Sequence, residues 1–184
     1  MNRKLQIPSF ILLLFSIMYA PTKLWAQMEF VQNKGQWNDA VNFRGDFKTG
    51  SFFLEKKGFT VLLNDTADVR KLGTIVHGHG LSEKGGLPEQ SFDFHSYAYK
   101  VNFLGASLHA VQLPDKIQPV YNNYFWGNDR SKWTSACKIY EAVTYQNIYP
   151  NIDVRYYSQG DKLKYDFIVH PGGNPSLIAL NYIG

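Results

Sequence analysis

Ile152-Asp-Val-Arg-Tyr-Tyr157 and Lys162-Leu-Lys-Tyr-Asp-Phe167, joined by Ser158-Gln-Gly-Asp161, decide the fold class of this sequence. In both limbs large apolar residues alternate with polar ones, the period of a strand buried on one face. Setting Ser158 opposite Asp161 places Ile152, Val154 and Tyr156 against Phe167, Tyr165 and Leu163. The other face then holds Asp153, Arg155 and Tyr157 against Asp166, Lys164 and Lys162. A slip of one residue would mix the two faces, so the pattern specifies an antiparallel hairpin.

The same period recurs upstream. In His95-Ser-Tyr-Ala-Tyr-Lys-Val-Asn-Phe-Leu104, Tyr97, Tyr99, Val101 and Phe103 share one face, and Ser96, Lys100 and Asn102 the other. Gly50 to Asn64 reads as a second hairpin, with Gly58 supplying the positive φ of its turn. That hairpin is apolar on both faces, which predicts a central place in the sheet. Asp65 to Asp93, with His77-Gly-His-Gly80, Gly85-Gly86 and Pro88, shows little periodicity and reads as a long loop. Gly127 to Trp133 is expected to form a turn or one helical turn, with strand resuming near Tyr140 and another short turn at Tyr145 to Tyr149. The expected fold is all-β: an antiparallel, β-sandwich-like domain with long loops. The strand pattern of Ser176 to Gly184 has no turn or polar tail after it, which suggests a domain truncated at its C-terminal end.

At the other terminus, Met1-Asn-Arg-Lys4 precedes an apolar run from Ile7 to Ala20, and Trp25-Ala26 precedes Gln27. A basic start, an apolar centre and a small residue before a polar one match a secretory signal peptide cut between Ala26 and Gln27. The run falls short of the roughly 20 residues that a membrane-spanning helix needs. Residues 1–26 are thus read as leader and 27–184 as one β-rich module, with no stable membrane span after cleavage. The expected location is extracellular or on the outer cell surface, and periplasmic if a sorting signal is lacking.

This division reassigns the charge. The chain has 19 Lys and Arg against 15 Asp and Glu. The leader takes Arg3, Lys4 and Lys23, leaving 16 basic and 15 acidic residues, a net of +1. Lys56-Lys57 and Arg70-Lys71 are isolated pairs, whereas phosphate recognition needs several converging cations. Nucleic acid is not expected as a partner. The single cysteine, Cys137, permits no internal disulfide and reads as a small buried residue.

Candidate chemistry is sparse. The hairpin register sets Asp153 opposite Asp166, and paired carboxylates serve glycosidases. Arg155 and Lys164 are their diagonal neighbours, so a solvated lattice of ion pairs accounts for all four without catalysis. His77 and His79 share a face of an extended segment but lack further ligands nearby, so neither a metal nor another cofactor is expected. Hydrolase, P-loop and dinucleotide motifs are absent, and no enzyme is expected. Tyr121-Asn-Asn-Tyr-Phe-Trp-Gly-Asn-Asp129 with Trp133 is the densest aromatic and amide cluster. Tyr124, Trp126, Asp129 and Trp133 could recognise a sugar, rings on pyranose faces and polar groups on hydroxyls. Burial statistics for such large residues favour instead that alternate rings fill the core while Gly127 to Asp129 turn the chain.

Several segments resemble one family. Phe30-Val-Gln-Asn33-Lys-Gly35-Gln36-Trp37 resembles the opening of large exported proteins of the Bacteroidota. Tyr99 to Phe103, Tyr124 to Asp129 with Trp133, Tyr149 to Asp153, Leu163 to Gly172 and Ile178 to Gly184 are similar to segments of the same N-terminal β domain. In that family the domain precedes β-propeller-type, PKD or other Ig-like repeats, and often a gliding-motility-associated or type IX secretion sorting domain. The resemblance implies a non-enzymatic surface module, acting in adhesion or surface assembly, whose partners are an extracellular glycan, a protein surface or downstream repeats. Asp65-Thr66-Ala67 is similar to the O-glycosylation acceptor of exported proteins in the same bacteria.

Overall fold

The computed structural model describes residues 29–77, 93–160 and 162–184, and among these residues the chain forms ten strands. In chain order they are β1 (Phe30–Gln32), β2 (Val41–Phe47), β3 (Gly50–Glu55), β4 (Gly58–Asn64), β5 (Ser96–Phe103), β6 (Val111–Tyr124), β7 (Thr134–Tyr149), β8 (Ile152–Gln159), β9 (Lys162–Val169) and β10 (Leu180–Ile183). Among the described residues, one α-helix, α1 (Thr66–His77), lies between β4 and β5. The fold is all-β and antiparallel, in the order β10-β5-β4-β3-β2-β1-β7-β8-β9, with β6 on β7. Among the described residues no helix is long and apolar enough to cross a membrane. The proposed leader and its cut at Ala26 and Gln27 lie outside the described residues, as does His79.

The sheet forks at β7. Tyr140 pairs with Ile117 of β6 on one edge and Phe30 of β1 on the other. Two residues later Ala142 pairs with Asp115 of β6 and Tyr157 of β8. β1 and β8 therefore lie end to end along one edge of β7, and two arms leave it: β1 through β5 to β10, and β8 to β9. The arms curl face to face. Phe59 meets Tyr156 at 6.2 Å and Tyr165 at 5.3 Å between ring centroids, and Phe103 meets Phe167 at 5.2 Å. The Tyr149 hydroxyl donates to the carbonyls of Leu104 and Ala179, tying β7 to the far end of the longer arm, where β5 and β10 pair. Burial and a hydrogen bond with Tyr182 of β10 push the Tyr165 phenol up to about 12. The sandwich-like architecture expected from the alternation is thus a single curled sheet.

The β3–β4 hairpin is central, as its two apolar faces require, flanked by β2 and β5. Its turn is Lys56-Lys57, and Gly58 follows with φ +149°. A Cβ at Gly58 would stand 1.9 Å from the Val101 carbonyl oxygen, so close approach of β5 requires glycine there.

Four local expectations are corrected. In the β8–β9 hairpin Asp153 faces Ile168, Arg155 faces Asp166 and Ser158 faces Leu163. The register is two residues from the one the sequence suggested. A shift of two leaves every side chain on its face, so hydrophobic pattern cannot detect it. The turn decides instead: β8 continues to Gln159, and Gly160 takes φ +65° in a two-residue connection. The first part of the expected loop after Asp65 is α1. Asp65 caps it by accepting from the amides of Ala67 and Asp68, and Val69, Leu72 and Ile75 recur at helical spacing. Residues 78–92 of that loop lie outside the described residues. The expected helical turn before Trp133 is present as a 3₁₀ turn (Arg130–Lys132), but strand resumes at Thr134, not near Tyr140. Tyr145 to Tyr149 is strand with a register shift, not a turn, Asn147 adopting φ +52°.

Candidate functional site: the aromatic tip of the β6–β7 ribbon

Beyond its pairing with β1, β7 pairs with β6 alone among the described strands. Residues 121–138 thus make a two-stranded ribbon whose connection carries Phe125, Trp126 and Trp133. A second, small core stiffens its base. Val31, Cys137 and Ile139 are buried there, with Trp37 and Tyr124 packed against them. Burial pushes the Cys137 thiol up, which keeps it protonated and suits the packing role expected of it.

A line of rings leads from this core outward. The Arg44 guanidinium lies over Trp37, Trp37 meets Tyr124 edge-on at 5.3 Å, and Tyr124 stacks on Trp126 at 6.5 Å and 15°. Phe125 and Trp133 form another edge-to-face pair at 5.2 Å, with Arg130 over the Trp133 ring. Phe125 is 61% exposed and Trp126 55%. The core reading of this cluster holds for Tyr124, which packs against the small core, and is corrected for Phe125, Trp126 and Trp133, which are exposed.

The tip is ordered by its own hydrogen bonds. Asp129 accepts from the Ser131 amide at 3.0 Å and its hydroxyl at 2.7 Å, and these bonds hold the Asp129 carboxyl below its ordinary range. Trp133 Nε1 donates to the Gly127 carbonyl at 3.2 Å. Of the four residues expected to share a site, Tyr124 and Trp126 stack together, Trp133 joins Phe125, and Asp129 serves as a cap. Phe125, Arg130, Trp37 and Arg44 were not among those four. Phe125 lies inside the same aromatic cluster and Arg130 directly follows its Asp129; Trp37 and Arg44 come from a loop and strand 80 or more residues away, with no local signal linking them.

The stretch Asn33 to Trp37 builds the loop that carries Trp37. Asn33 Nδ2 donates to the carbonyls of Trp37, Asn38 and Val41, and its Oδ1 accepts from the amides of Gly35 and Trp37. Gln36 closes the same loop onto the Gln32 carbonyl. The side chains of this motif organise backbone, which is why Trp37 stands against the ribbon.

The carboxylates considered for catalysis are apart in role. Asp153 is buried, accepting from the Asn147 amide at 2.8 Å, with His170 Nε2 2.9 Å away. Asp166 is exposed and accepts from the Tyr157 hydroxyl at 2.9 Å, which pushes the Tyr157 phenol up. Arg155 reaches Asp115 of β6 at 2.9 Å and holds its carboxyl low. The facing acid pair is therefore absent, and Asp153 belongs to no solvated lattice. Among the described residues no three His, Cys, Asp or Glu side chains gather as a metal site.

Residues 30–184 match the model of a family described as Domain of unknown function (DUF7948). The chain belongs to the DUF7948 family. The match takes in both arms, the Asn33 loop and the ribbon with its aromatic tip, so these features lie within the DUF7948 domain itself. No curated protein and no solved structure matches the chain.

Proposed function

We propose that this DUF7948 chain is a non-enzymatic interaction module of an exported surface protein, which meets its partner through the tip of the β6–β7 ribbon. The observation that carries this reading is the outward display of Phe125, Trp126 and Trp133 on a stiffened projection. Large rings ordinarily contribute their area to a core, and exposed clusters of them mark binding surfaces. The basic, apolar, then small-and-polar order of residues 1–27 supports export, and the near-neutral charge of residues 27–184 fits neither nucleic acid nor a strongly charged partner. Adhesion or surface assembly is the role such a module serves.

A glycan is the favoured ligand class because Trp126 lies flat on Tyr124 while more than half exposed, a ring face on which a pyranose packs. The experiment is a glycan array probed with the secreted protein, whose N-terminus is first sequenced. A mature start at Gln27, glycan binding, and its loss in Trp126→Ala and Trp133→Ala are expected. An intact Met1 ends the export reading. Binding that survives both substitutions ends the tip reading, and no glycan bound at all leaves a protein surface as its partner class.

A further inference from the structure

A different place in the molecule holds a cleft of about 370 Å³ between the two arms of the sheet. It arises from unequal arm lengths. Along β4, core-facing Phe59 is covered by Tyr165 of β9. Val61 and Leu63 continue the same face further, while the β8–β9 hairpin turns back at Gly160. Opposite Leu63 stands Gly50, where a Cβ would fall 2.0 Å from the Leu62 carbonyl oxygen and 2.7 Å from the Phe47 ring. That layer therefore carries no side chain from β3, and the Phe47 ring of β2 lines that side of the cleft.

The floor is apolar, with Phe52 and Phe59 almost fully buried. Leu63 and Tyr99, each more than a third exposed, flank the mouth together with Leu163. Lys162 is the only charged residue among the described lining, and it is exposed at the rim. An apolar trough with one cation at its mouth complements an alkyl chain ending in one negative charge.

We propose that this cleft binds a free medium-chain fatty acid, the alkyl chain on Leu63, Tyr99 and Leu163 and the carboxylate on Lys162. Its size stands at the low end of ligand pockets, about 300–1,000 Å³, which suits a chain of roughly ten to twelve carbons. Isothermal titration with octanoate, decanoate and dodecanoate below their micelle concentrations tests the fit. Each added methylene should tighten binding about fourfold. Dodecanoate should bind at least about tenfold more tightly than dodecyltrimethylammonium, whose charge opposes Lys162. Lys162→Glu should remove that preference, and Leu63→Glu should abolish dodecanoate binding while circular dichroism stays that of the wild type. A flat chain-length series, equal binding of the ammonium, or undiminished dodecanoate binding by folded Leu63→Glu would overturn the proposal. Should either variant fail to fold, the chain-length and head-group series on the unaltered protein decide it alone.

Discussion

Asp153 shows how one side chain can look catalytic in sequence and prove architectural. β7 shifts register between Tyr145 and Tyr149, and Asn147 turns to a positive φ inside that irregularity. A bulge of this kind leaves a backbone amide without its ladder partner. The Asp153 carboxylate takes that amide, and its second oxygen faces His170 Nε2. His170 is itself fastened by its backbone amide to the Asn151 carbonyl, so one buried acid joins the β7 bulge to the segment after β9. Removing it leaves the part-buried Asn147 amide without its partner, which costs about 1 kcal/mol. Asp153→Ala should lower unfolding free energy by that amount in urea titration. Asp153→Asn, which keeps one acceptor for Asn147, should lose less. Equal stability of Asp153→Ala and wild type would refute the bulge-cap role.

Secondary elements divide into those that announced themselves and those held by distant residues. The β3–β4 hairpin and β5 were legible because each satisfies its period locally, and Tyr99, Val101 and Phe103 do share a face. α1 was not, since its apolar positions are few, Gly73 interrupts them, and its capping by Asp65 resembles ordinary loop chemistry. What secures α1 lies 27 residues downstream: Asp68 accepts from the His95 backbone amide and from its ring, both at 2.8 Å. The hydrogen bonds from His95 hold the Asp68 carboxyl below 3.8, and the bond to Asp68 raises the imidazole above 6.5, helped by Asp93 and Asp65. For the histidine, whose folded pKa is raised, the contribution is complete below 6.5 and fades as pH rises through the folded value. For the carboxylate, whose folded pKa is lowered, it is complete above 3.8 and fades as pH falls through the folded value. The α1–β5 attachment should therefore be tightest between these two limits. Proton NMR titration should show His95 titrating above 6.5, and its pKa falling towards 6.5 in Asp68→Asn. An unmoved His95 titration in that variant would refute the attachment.

Across the whole molecule, the all-β class and the core-facing residues were readable, but the fork was not. Pairing of Phe30 and Val31 with Tyr140 and Ile139 joins segments more than a hundred residues apart, and short-range alternation says nothing about which strand finds which edge. The aromatic tip was similarly half-legible: its rings are dense in sequence, yet whether they face inward depends on β7 running past the end of β1. What makes the fork one structure is Tyr156. Its ring meets Phe52 and Phe59 on the longer arm and Tyr145 and Tyr165 beside it, so it stands where both arms and β7 converge. Truncating such a residue removes contacts to every layer and leaves a cavity, at a cost of about 3–5 kcal/mol for a large aromatic. Its hydroxyl is buried with no hydrogen-bond partner among the described residues, and burial pushes the phenol far upward. A buried polar atom without a partner costs about 1–3 kcal/mol, and exchange for an apolar group of the same shape recovers part of it. The two substitutions should therefore part sharply. Tyr156→Ala should sharply lower the midpoint of urea unfolding, with fluorescence from the ribbon tryptophans and far-ultraviolet circular dichroism changing together. Tyr156→Phe should leave the midpoint unchanged or raise it by the equivalent of about 1 kcal/mol. If Tyr156→Phe instead destabilises as much as Tyr156→Ala, the hydroxyl has a partner and the convergence is polar; if the two probes separate in Tyr156→Ala, the arms fold independently of the ribbon.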